Sequence, residues 1–338
     1  MTTTAVYVSN ADSGDVWVYH LGAERGELAP VQRVMVGGQV MPLALSPDQR
    51  FLYAARRSDP LEVLSFGIDP KTGELAALGE APLSHSMANL ATDRSGRWLF
   101  SASYGGDQIA VGPIGADGVA RGVQQVLATA PHAHAIQADP SNRFVFATSL
   151  GGGLVMQLRF DAASGALTPN TPAALLPHAA ASPRHFVFSR DGRFAYLLNE
   201  LDGQVDVLGF DASTGSLRTL QTVTSLPPGF GGEPWAADLH LTPDGRFLYT
   251  SERRSSTLAA FRVDAAGGGL ALMAHTPTEA QPRGFAITPD GRHLIVAGQL
   301  SHRLSVCAID AQTGALDKRS DCATGQNPNW IEVVALRD

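Results

Sequence analysis

Apolar and polar residues alternate along most of the chain in short runs, a pattern typical of half-buried β-strands. The runs are separated by turns rich in Gly, Pro, Asn and Asp, and no stretch has the apolar period of a convincing amphipathic helix. Two runs joined by a short turn predict a β-hairpin, as in "LTPDGRFLYTS" at 241–251. The pattern therefore predicts an all-β protein.

This hairpin is repeated. Its arginine recurs at steps of 47, 46, 50, 53 and 46 residues, at Arg50, Arg97, Arg143, Arg193, Arg246 and Arg292. A second kind of turn, such as "FDASTGSL" at 210–217, alternates with the first, and there are seven of these outer turns. Each period thus holds about four short strands, which is typical of a β-propeller blade.

Seven outer turns but only six inner hairpins indicate a seventh blade built from both ends of the chain. The segment "AVYVSN" at 5–10 aligns with the second strand of a blade, and "NPNWIEVVAL" at 327–336 aligns with a first strand. We therefore expect residues 1–338 to form a single domain, a seven-bladed β-propeller with four antiparallel strands per blade. Pairing of the N- and C-terminal strands would close the last blade and remove an exposed sheet edge.

The repeat also predicts which residues share a face. Residues nine positions before each recurring arginine begin the innermost strand, and residues seven positions after it end the second strand. Because the two strands are antiparallel, both sets lie at one mouth of the central channel. The first set includes His134, Arg184 and Arg283, and the residues one position later in each repeat include His185 and Asp238. The second set includes Arg57, Glu200, Arg253 and Gln299. Neighbours of these positions are His132, Asn199 and Trp235. We expect the catalytic and substrate-binding residues among them.

The composition limits the kinds of partner and the cellular compartment that we expect for the protein. The net charge is -7 and there is no basic run, which argues against nucleic acid and anionic membranes as partners. With only Cys307 and Cys322, and with no leader-like start in "MTTTAVYVSN", we expect a soluble cytoplasmic protein. Protein partners are not predictable from the sequence.

Known catalytic motifs are missing from the sequence. There is no nucleotide-binding, zinc-protease or serine-hydrolase motif, and the mouth is rich in Arg and His with few carboxylates. That mixture suits an anionic organic ligand better than a cation. We expect no cofactor and no metal, with a single metal ion held by Glu, Asn and Asp side chains as the open alternative.

Several stretches resemble a known family. They include "SPRHFVFSRDGRFAYLLNELDGQVDV" at 182–207, "PWAADLHLTPDGRFLYTSER" at 234–253 and "GQNPNW" at 325–330. Over essentially the whole chain, the sequence resembles the bacterial 6-phosphogluconolactonases of the seven-bladed propeller type, which are related to fungal 3-carboxy-cis,cis-muconate lactonising enzymes. The resemblance implies hydrolysis of a small anionic sugar lactone, 6-phosphoglucono-1,5-lactone of the pentose phosphate pathway. It also implies a catalytic set of His134, Arg184, Glu200 and Arg283.

Three alternatives remain at this point. Either His134 or Glu200 could activate water, while Arg184 and Arg283 hold the anionic groups and the oxyanion. A phosphorylated substrate calls for a further basic group at the rim, such as Arg57 or Arg253. Without one, an unphosphorylated aldono- or aldarolactone, or a muconate-type cycloisomerisation, is favoured. A non-catalytic interaction scaffold would instead expose an apolar patch on this face.

Overall fold

The computed structural model describes residues 3–22 and 24–337, which form 28 β-strands and no helix. The strands make seven antiparallel sheets of four strands each, arranged as blades in a ring, so the predicted seven-bladed propeller is confirmed. Because the described residues contain no helix, they contain none that could cross a membrane.

Six blades are continuous in sequence, and in each of them the first strand is innermost. Blade 1 is β4 (Val40–Leu45), β5 (Phe51–Arg56), β6 (Glu62–Ile68) and β7 (Leu75–Pro82); blade 2 is β8 (Asn89–Thr92), β9 (Trp98–Ser103), β10 (Gln108–Pro113) and β11 (Gln125–Ala128); blade 3 is β12 (Ala133–Ala138), β13 (Phe144–Ser149), β14 (Leu154–Asp161) and β15 (Ala166–Leu175). Blade 4 is β16 (Pro183–Phe188), β17 (Phe194–Asn199), β18 (Gln204–Asp211) and β19 (Ser216–Thr224); blade 5 is β20 (Ala236–Leu241), β21 (Phe247–Glu252), β22 (Thr257–Val263) and β23 (Leu270–Pro277); blade 6 is β24 (Pro282–Ile287), β25 (His293–Gly298), β26 (Arg303–Ile309) and β27 (Leu316–Ala323).

Blade 7 joins the two ends of the chain. It consists of β28 (Pro328–Ala335), β1 (Thr4–Asn10), β2 (Asp15–Leu21) and β3 (Leu28–Met35), in that order from the channel outwards. Strand β28 pairs with β1 from Thr4 opposite Ala335 to Asn10 opposite Pro328. The predicted closure by terminal strands is therefore confirmed.

The hydrophobic core lies between blades rather than within them. Seven clusters of buried apolar side chains each span one pair of neighbouring blades. This placement follows from the alternation of side chains, because each sheet presents one face to the blade on either side.

Polar contacts repeat between the blades as well. A tyrosine of the second strand donates its hydroxyl hydrogen to the carbonyl of a glycine in the outer turn of the next blade, in the pairs Tyr7–Gly73, Tyr53–Gly118, Tyr196–Gly268 and Tyr249–Gly314. These glycines have positive φ, between 70° and 79°, which few other residues adopt without strain. Four of the recurring arginines, Arg97, Arg143, Arg193 and Arg246, donate to alanine carbonyls in the outer turn of the next blade. The recurring arginines are thus part of the framework.

A β-bulge marks the start of the innermost strand in six of the seven blades. In blade 4, for example, Pro183 pairs with Asn199 and His185 pairs with Leu198, so Arg184 is left outside the pairing. A bulge redirects a side chain without ending the strand. In this fold the bulge frees residues at the channel-mouth end of six blades from the strand pairing.

Candidate active site

The bulged positions bring the predicted rim residues together. His134, Arg184 and Arg283 are the second residues of β12, β16 and β24, as the repeat predicts. The equivalent residue of blade 7 is Asn329, which the repeat comparison missed because that blade has no recurring arginine. A local signal was present, since Pro328 precedes Asn329 as Pro183 precedes Arg184 and Pro282 precedes Arg283.

Glu200 lies at the centre of a buried ion triad. Its Oε2 accepts a hydrogen bond from Arg184 Nε at 2.6 Å and another from Arg253 Nη2 at 2.8 Å. The side chains of Arg184, Glu200 and Arg253 are only 1%, 10% and 2% exposed. Burial alone would raise the pKa of Glu200, but the two guanidinium groups outweigh it and lower that pKa. Glu200 is therefore an ionised carboxylate held in one position.

Arg253, the third member of the triad, is held in place by Trp235. Its guanidinium carbon lies 3.8 Å from the centroid of the Trp235 ring, and its Nε donates to the Trp235 carbonyl at 3.0 Å. Its Nη2 donates to Glu200 and to the Ala236 carbonyl at 3.1 Å, so protein groups hold Arg253 through both Nε and Nη2. Trp235 and Arg253, both predicted to bind substrate, thus lie where they position Glu200.

Arg184 keeps part of its guanidinium free. Its Nε donates to Glu200 and its Nη1 lies 3.5 Å from His185 Nε2, while Nη2 makes no hydrogen bond to the described residues. A donor fixed through one edge of the guanidinium and open on another is suited to hold a developing negative charge.

His134 lies beside Arg184 as a neutral imidazole. Its ring centroid is 5.0 Å from that of His185 and 5.9 Å from that of Tyr104. Burial and the charge of Arg184 lower the pKa of His134 well below its usual value. Its Nδ1 is buried without a hydrogen-bond partner in the described part of the chain. The arrangement leaves His134 unprotonated near neutral pH.

His185 is oriented by Asp238. The Nδ1–H of His185 donates to Asp238 Oδ1 at 2.9 Å, and the other carboxylate oxygen lies 3.2 Å from His240 Nε2. Burial and Arg184 lower the pKa of His185 to about 4, against the opposing effect of Asp238. Both predicted binding residues are therefore largely buried, and the His185 ring packs edge-on against that of His134.

Two further predicted residues differ in position. His132 is 43% exposed and stacks on Tyr104 with centroids 4.2 Å apart, at the outer edge of the mouth. Asn199 is completely buried. Its amide accepts from the Ser182 N–H and donates to Asp206 Oδ2, so Asn199 holds the strand end rather than facing a ligand.

A small cavity of about 160 Å³ opens at the mouth between blades 6, 7 and 1. Its lining includes Arg57, Arg283, Gln299 and Asn329. Neither Arg57 nor Arg283 forms an ion pair within residues 3–22 and 24–337. A larger groove of about 960 Å³ lies at the other end of the channel, among the turns of the recurring arginines, and it contains none of the predicted site residues.

The mouth is strongly positive although the protein carries a net charge of -7. Burial and the neighbouring guanidinium groups of Arg184, Arg253 and Arg57 lower the pKa of Arg283, with Glu200 opposing them. Because a guanidinium stays protonated in proteins, Arg283 keeps its positive charge close to those three guanidinium groups. A bound anion would offset part of this charge. Within the described residues, no three His, Cys, Asp or Glu side chains are grouped as metal ligands would be.

A seven-bladed propeller whose mouth combines guanidinium groups, one carboxylate and a neutral imidazole has the groups that opening a lactone requires. The chain belongs to the lactonase family of seven-bladed β-propellers, whose family model matches residues 2–333. The predicted family is therefore confirmed.

Individual relatives agree with this family. The chain is 44% identical over 331 residues to the 6-phosphogluconolactonase of Pectobacterium carotovorum subsp. carotovorum, with 98% of each chain covered. It is 40% identical over 332 residues to that of Serratia proteamaculans, again with 98% of each covered. Among solved structures it resembles the periplasmic gluconolactonase of Pseudomonas aeruginosa, with 31% identity, a TM-score of 0.92, and 99% and 100% of the two chains covered.

Proposed function

We propose that this protein hydrolyses 6-phosphoglucono-1,5-lactone to 6-phosphogluconate at the channel mouth that contains Glu200. The observation that carries the proposal is the buried Arg184–Glu200 pair beside a neutral His134, in a chain related over nearly its full length to curated 6-phosphogluconolactonases. Lactone hydrolysis needs a base for water and a donor for the oxyanion. These residues supply both.

His134 activates the water molecule in this proposal. The water oxygen adds to the lactone carbonyl carbon while His134 takes its proton, and Arg184 Nη2 donates to the oxyanion that forms. The bond from that carbon to the ring oxygen then breaks, and the imidazolium returns the proton to the leaving oxygen. Glu200 holds the Arg184 guanidinium in place through Nε throughout.

The choice of His134 over Glu200 as base follows from their surroundings. One oxygen of Glu200 already accepts two charge-assisted hydrogen bonds, and its pKa is lowered from a value that is low to begin with. His134 has a higher ordinary pKa and an unpartnered ring nitrogen. A bound anionic substrate would also offset the positive charges that lower the pKa of His134, bringing it closer to the working pH.

An unphosphorylated sugar lactone is the second candidate substrate. The observation in its favour is the likeness to the P. aeruginosa protein described as a gluconolactonase. Against it, Arg57 lines the cavity at the mouth and forms no ion pair within the described residues, so a basic group is available for a phosphoryl group. The scaffold alternative has less support, because Leu201 and Leu300 are exposed singly on the rim loops around a polar interior.

A cytoplasmic location is part of the proposal. Both cysteines, Cys307 and Cys322, are free thiols, which suits a reducing compartment. Fractionation of the source cells, followed by detection of the protein with an antibody, tests this assignment, and recovery from the periplasm would overturn it.

The activity is tested with purified protein and freshly prepared 6-phosphoglucono-1,5-lactone in a pH-stat. We expect acid release well above the spontaneous rate, and no acceleration would refute the function. Arg184→Gln should lower kcat/KM by about 100-fold or more, as loss of an oxyanion donor does. Arg193→Gln is the matched control, because it removes the same charge from the far end of the same hairpin. Full activity of the Arg184 variant would refute the site while leaving the activity intact.

A further inference from the structure

We propose that Arg57 and Arg283 form a separate binding site for the phosphoryl group of the substrate, and that Arg57 selects phosphorylated over unphosphorylated lactones. We call this pair and the cavity that they line the phosphoryl site. The inference rests on the proposed lactonase function and adds the part of the substrate that the catalytic residues do not contact.

The order of the blades gives the mouth two chemically different sides. His134 comes from blade 3 and Arg184 and Glu200 from blade 4, whereas Arg283 comes from blade 6 and Arg57 from blade 1. In a ring of seven, blade 1 lies across the channel from blade 4. A hexonolactone phosphorylated at C6 has its carbonyl at one end and its phosphoryl group at the other. The reacting carbonyl and the charged phosphoryl group thus match the two sides of the mouth.

Arg57 and Arg283 have no carboxylate partner in the described part of the chain, which is otherwise true in this region of the exposed Arg254 that stacks on Trp235. Arg184 and Arg253 share Glu200, and Arg56, the sequence neighbour of Arg57, pairs with Glu62. The Nε of Arg283 is buried without any hydrogen-bond partner among the described residues. The side chains of Arg57 and Arg283 are both half-buried, and unpaired charges that are partly withdrawn from water are costly and are kept when a ligand completes them.

Apart from the exposed Gln39 amide, the cavity offers donors from these two arginines and little else. The Gln299 amide donates to Asn327, and the Asn329 amide is bonded to Ser9 and to the backbone of Asn327. Arg57 is anchored through Nε to Ser86 at 2.9 Å, so its terminal nitrogens are held at a fixed angle. Two guanidinium groups with fixed forks are the usual means of binding a tetrahedral oxyanion.

The volume of the cavity also fits one group rather than a whole sugar. At about 160 Å³, it is smaller than the roughly 300–1,000 Å³ of pockets that hold entire small molecules. The lactone ring would remain in the open mouth next to His134. The phosphoryl group would be the part of the substrate that enters the cavity.

The test compares kcat/KM for 6-phosphoglucono-1,5-lactone and for glucono-1,5-lactone in wild type, Arg57→Gln, Arg57→Lys and Arg50→Gln. Arg50 is the control, since it is 68% exposed at the opposite end of the channel. We expect wild type to prefer the phosphorylated lactone, and Arg57→Gln to lower that preference by about 10- to 100-fold, the effect of one charge-assisted hydrogen bond. Arg57→Lys should keep part of the preference, and Arg50→Gln all of it.

A binding experiment separates this inference from the activity itself. Inorganic phosphate should raise the melting temperature of wild type but not of Arg57→Gln, and it should compete with the phosphorylated lactone. Equal loss on both substrates, no change in the preference, or a wild type that prefers glucono-1,5-lactone would each overturn the phosphoryl site. If wild type hydrolyses neither lactone, the proposed function fails, and phosphate binding that depends on Arg57 would still support the site.

Discussion

Replacing Glu200 with Gln is the most direct test of the ion triad, because it removes one charge and changes almost no volume. In wild type, a single oxygen of Glu200 is bonded to Arg184 at 2.6 Å and to Arg253 at 2.8 Å. The variant leaves two buried guanidinium groups without their carboxylate. Breaking a buried ion pair in this way costs about 3–5 kcal/mol.

That free energy converts into a measurable shift of the melting temperature. At about 2.1 cal/mol/K per residue, the 338 residues give an unfolding entropy of roughly 0.7 kcal/mol/K. The melting temperature of Glu200→Gln should therefore fall by roughly 4–7 °C at pH 7.

The same pair makes a prediction about pH. Burial raises the pKa of Glu200, but Arg184 and Arg253 lower it further than burial raises it, so the folded pKa lies below the unfolded value of about 4.3. The stabilisation is fully present above that unfolded value and is lost as pH falls through the folded one. The difference in melting temperature between wild type and Glu200→Gln should be constant above about pH 5 and shrink in acid.

Calorimetry or far-UV circular dichroism between pH 3 and 8 measures both effects. Asp117→Asn is the control, since its pair with Arg121 is exposed, and it should shift the melting temperature by about 1 °C or less. The double variant Glu200→Gln, Arg253→Met should lose less than the sum of the single variants. Strict additivity, or a Glu200→Gln protein that melts like wild type at pH 7, would refute the buried triad.

Two further predictions concern the base and the framework. His134→Asn should lower kcat/KM by about 100- to 10,000-fold with little change in melting temperature. Because the pKa of His134 is lowered, wild-type activity should fall only below about pH 6.5. If the variant kept this loss of activity in acid in its pH-rate profile, His134 would be excluded as the base. Tyr196→Phe removes the hydrogen bond to the Gly268 carbonyl and should cost about 1 kcal/mol of stability with unchanged kcat/KM, so a loss of activity at constant melting temperature would contradict its structural role.

The sequence was sufficient to predict the ring because each blade is encoded locally. Strand alternation and the residues of two kinds of turn lie within one repeat, and the repeat itself aligned Arg184 with His134 and Arg283. The terminal strands could be placed by the same comparison. Nothing in this reasoning required knowledge of how the blades pack.

Other features depend on contacts between blades, which a single repeat does not encode. The stacking of Arg253 on Trp235 and the burial of Asn199 follow from side-chain packing around the channel. The cavity between Arg57 and Arg283 joins residues from blades 1 and 6. A strand pattern predicts the end at which a side chain lies, but not how far it reaches across the mouth.

The bulge at the start of the innermost strand places a residue of the site outside the strand pairing that holds the blade together. Its extra residue makes no contribution to strand pairing, so its identity can change while the ladder of hydrogen bonds stays the same. Met41 and Ala237 occupy, in blades 1 and 5, the same positions as His134, Arg184 and Arg283 without adding a reactive group. The ring thus has further bulged positions at the same mouth that carry no reactive group. Mutation at these positions can give the same scaffold a different substrate.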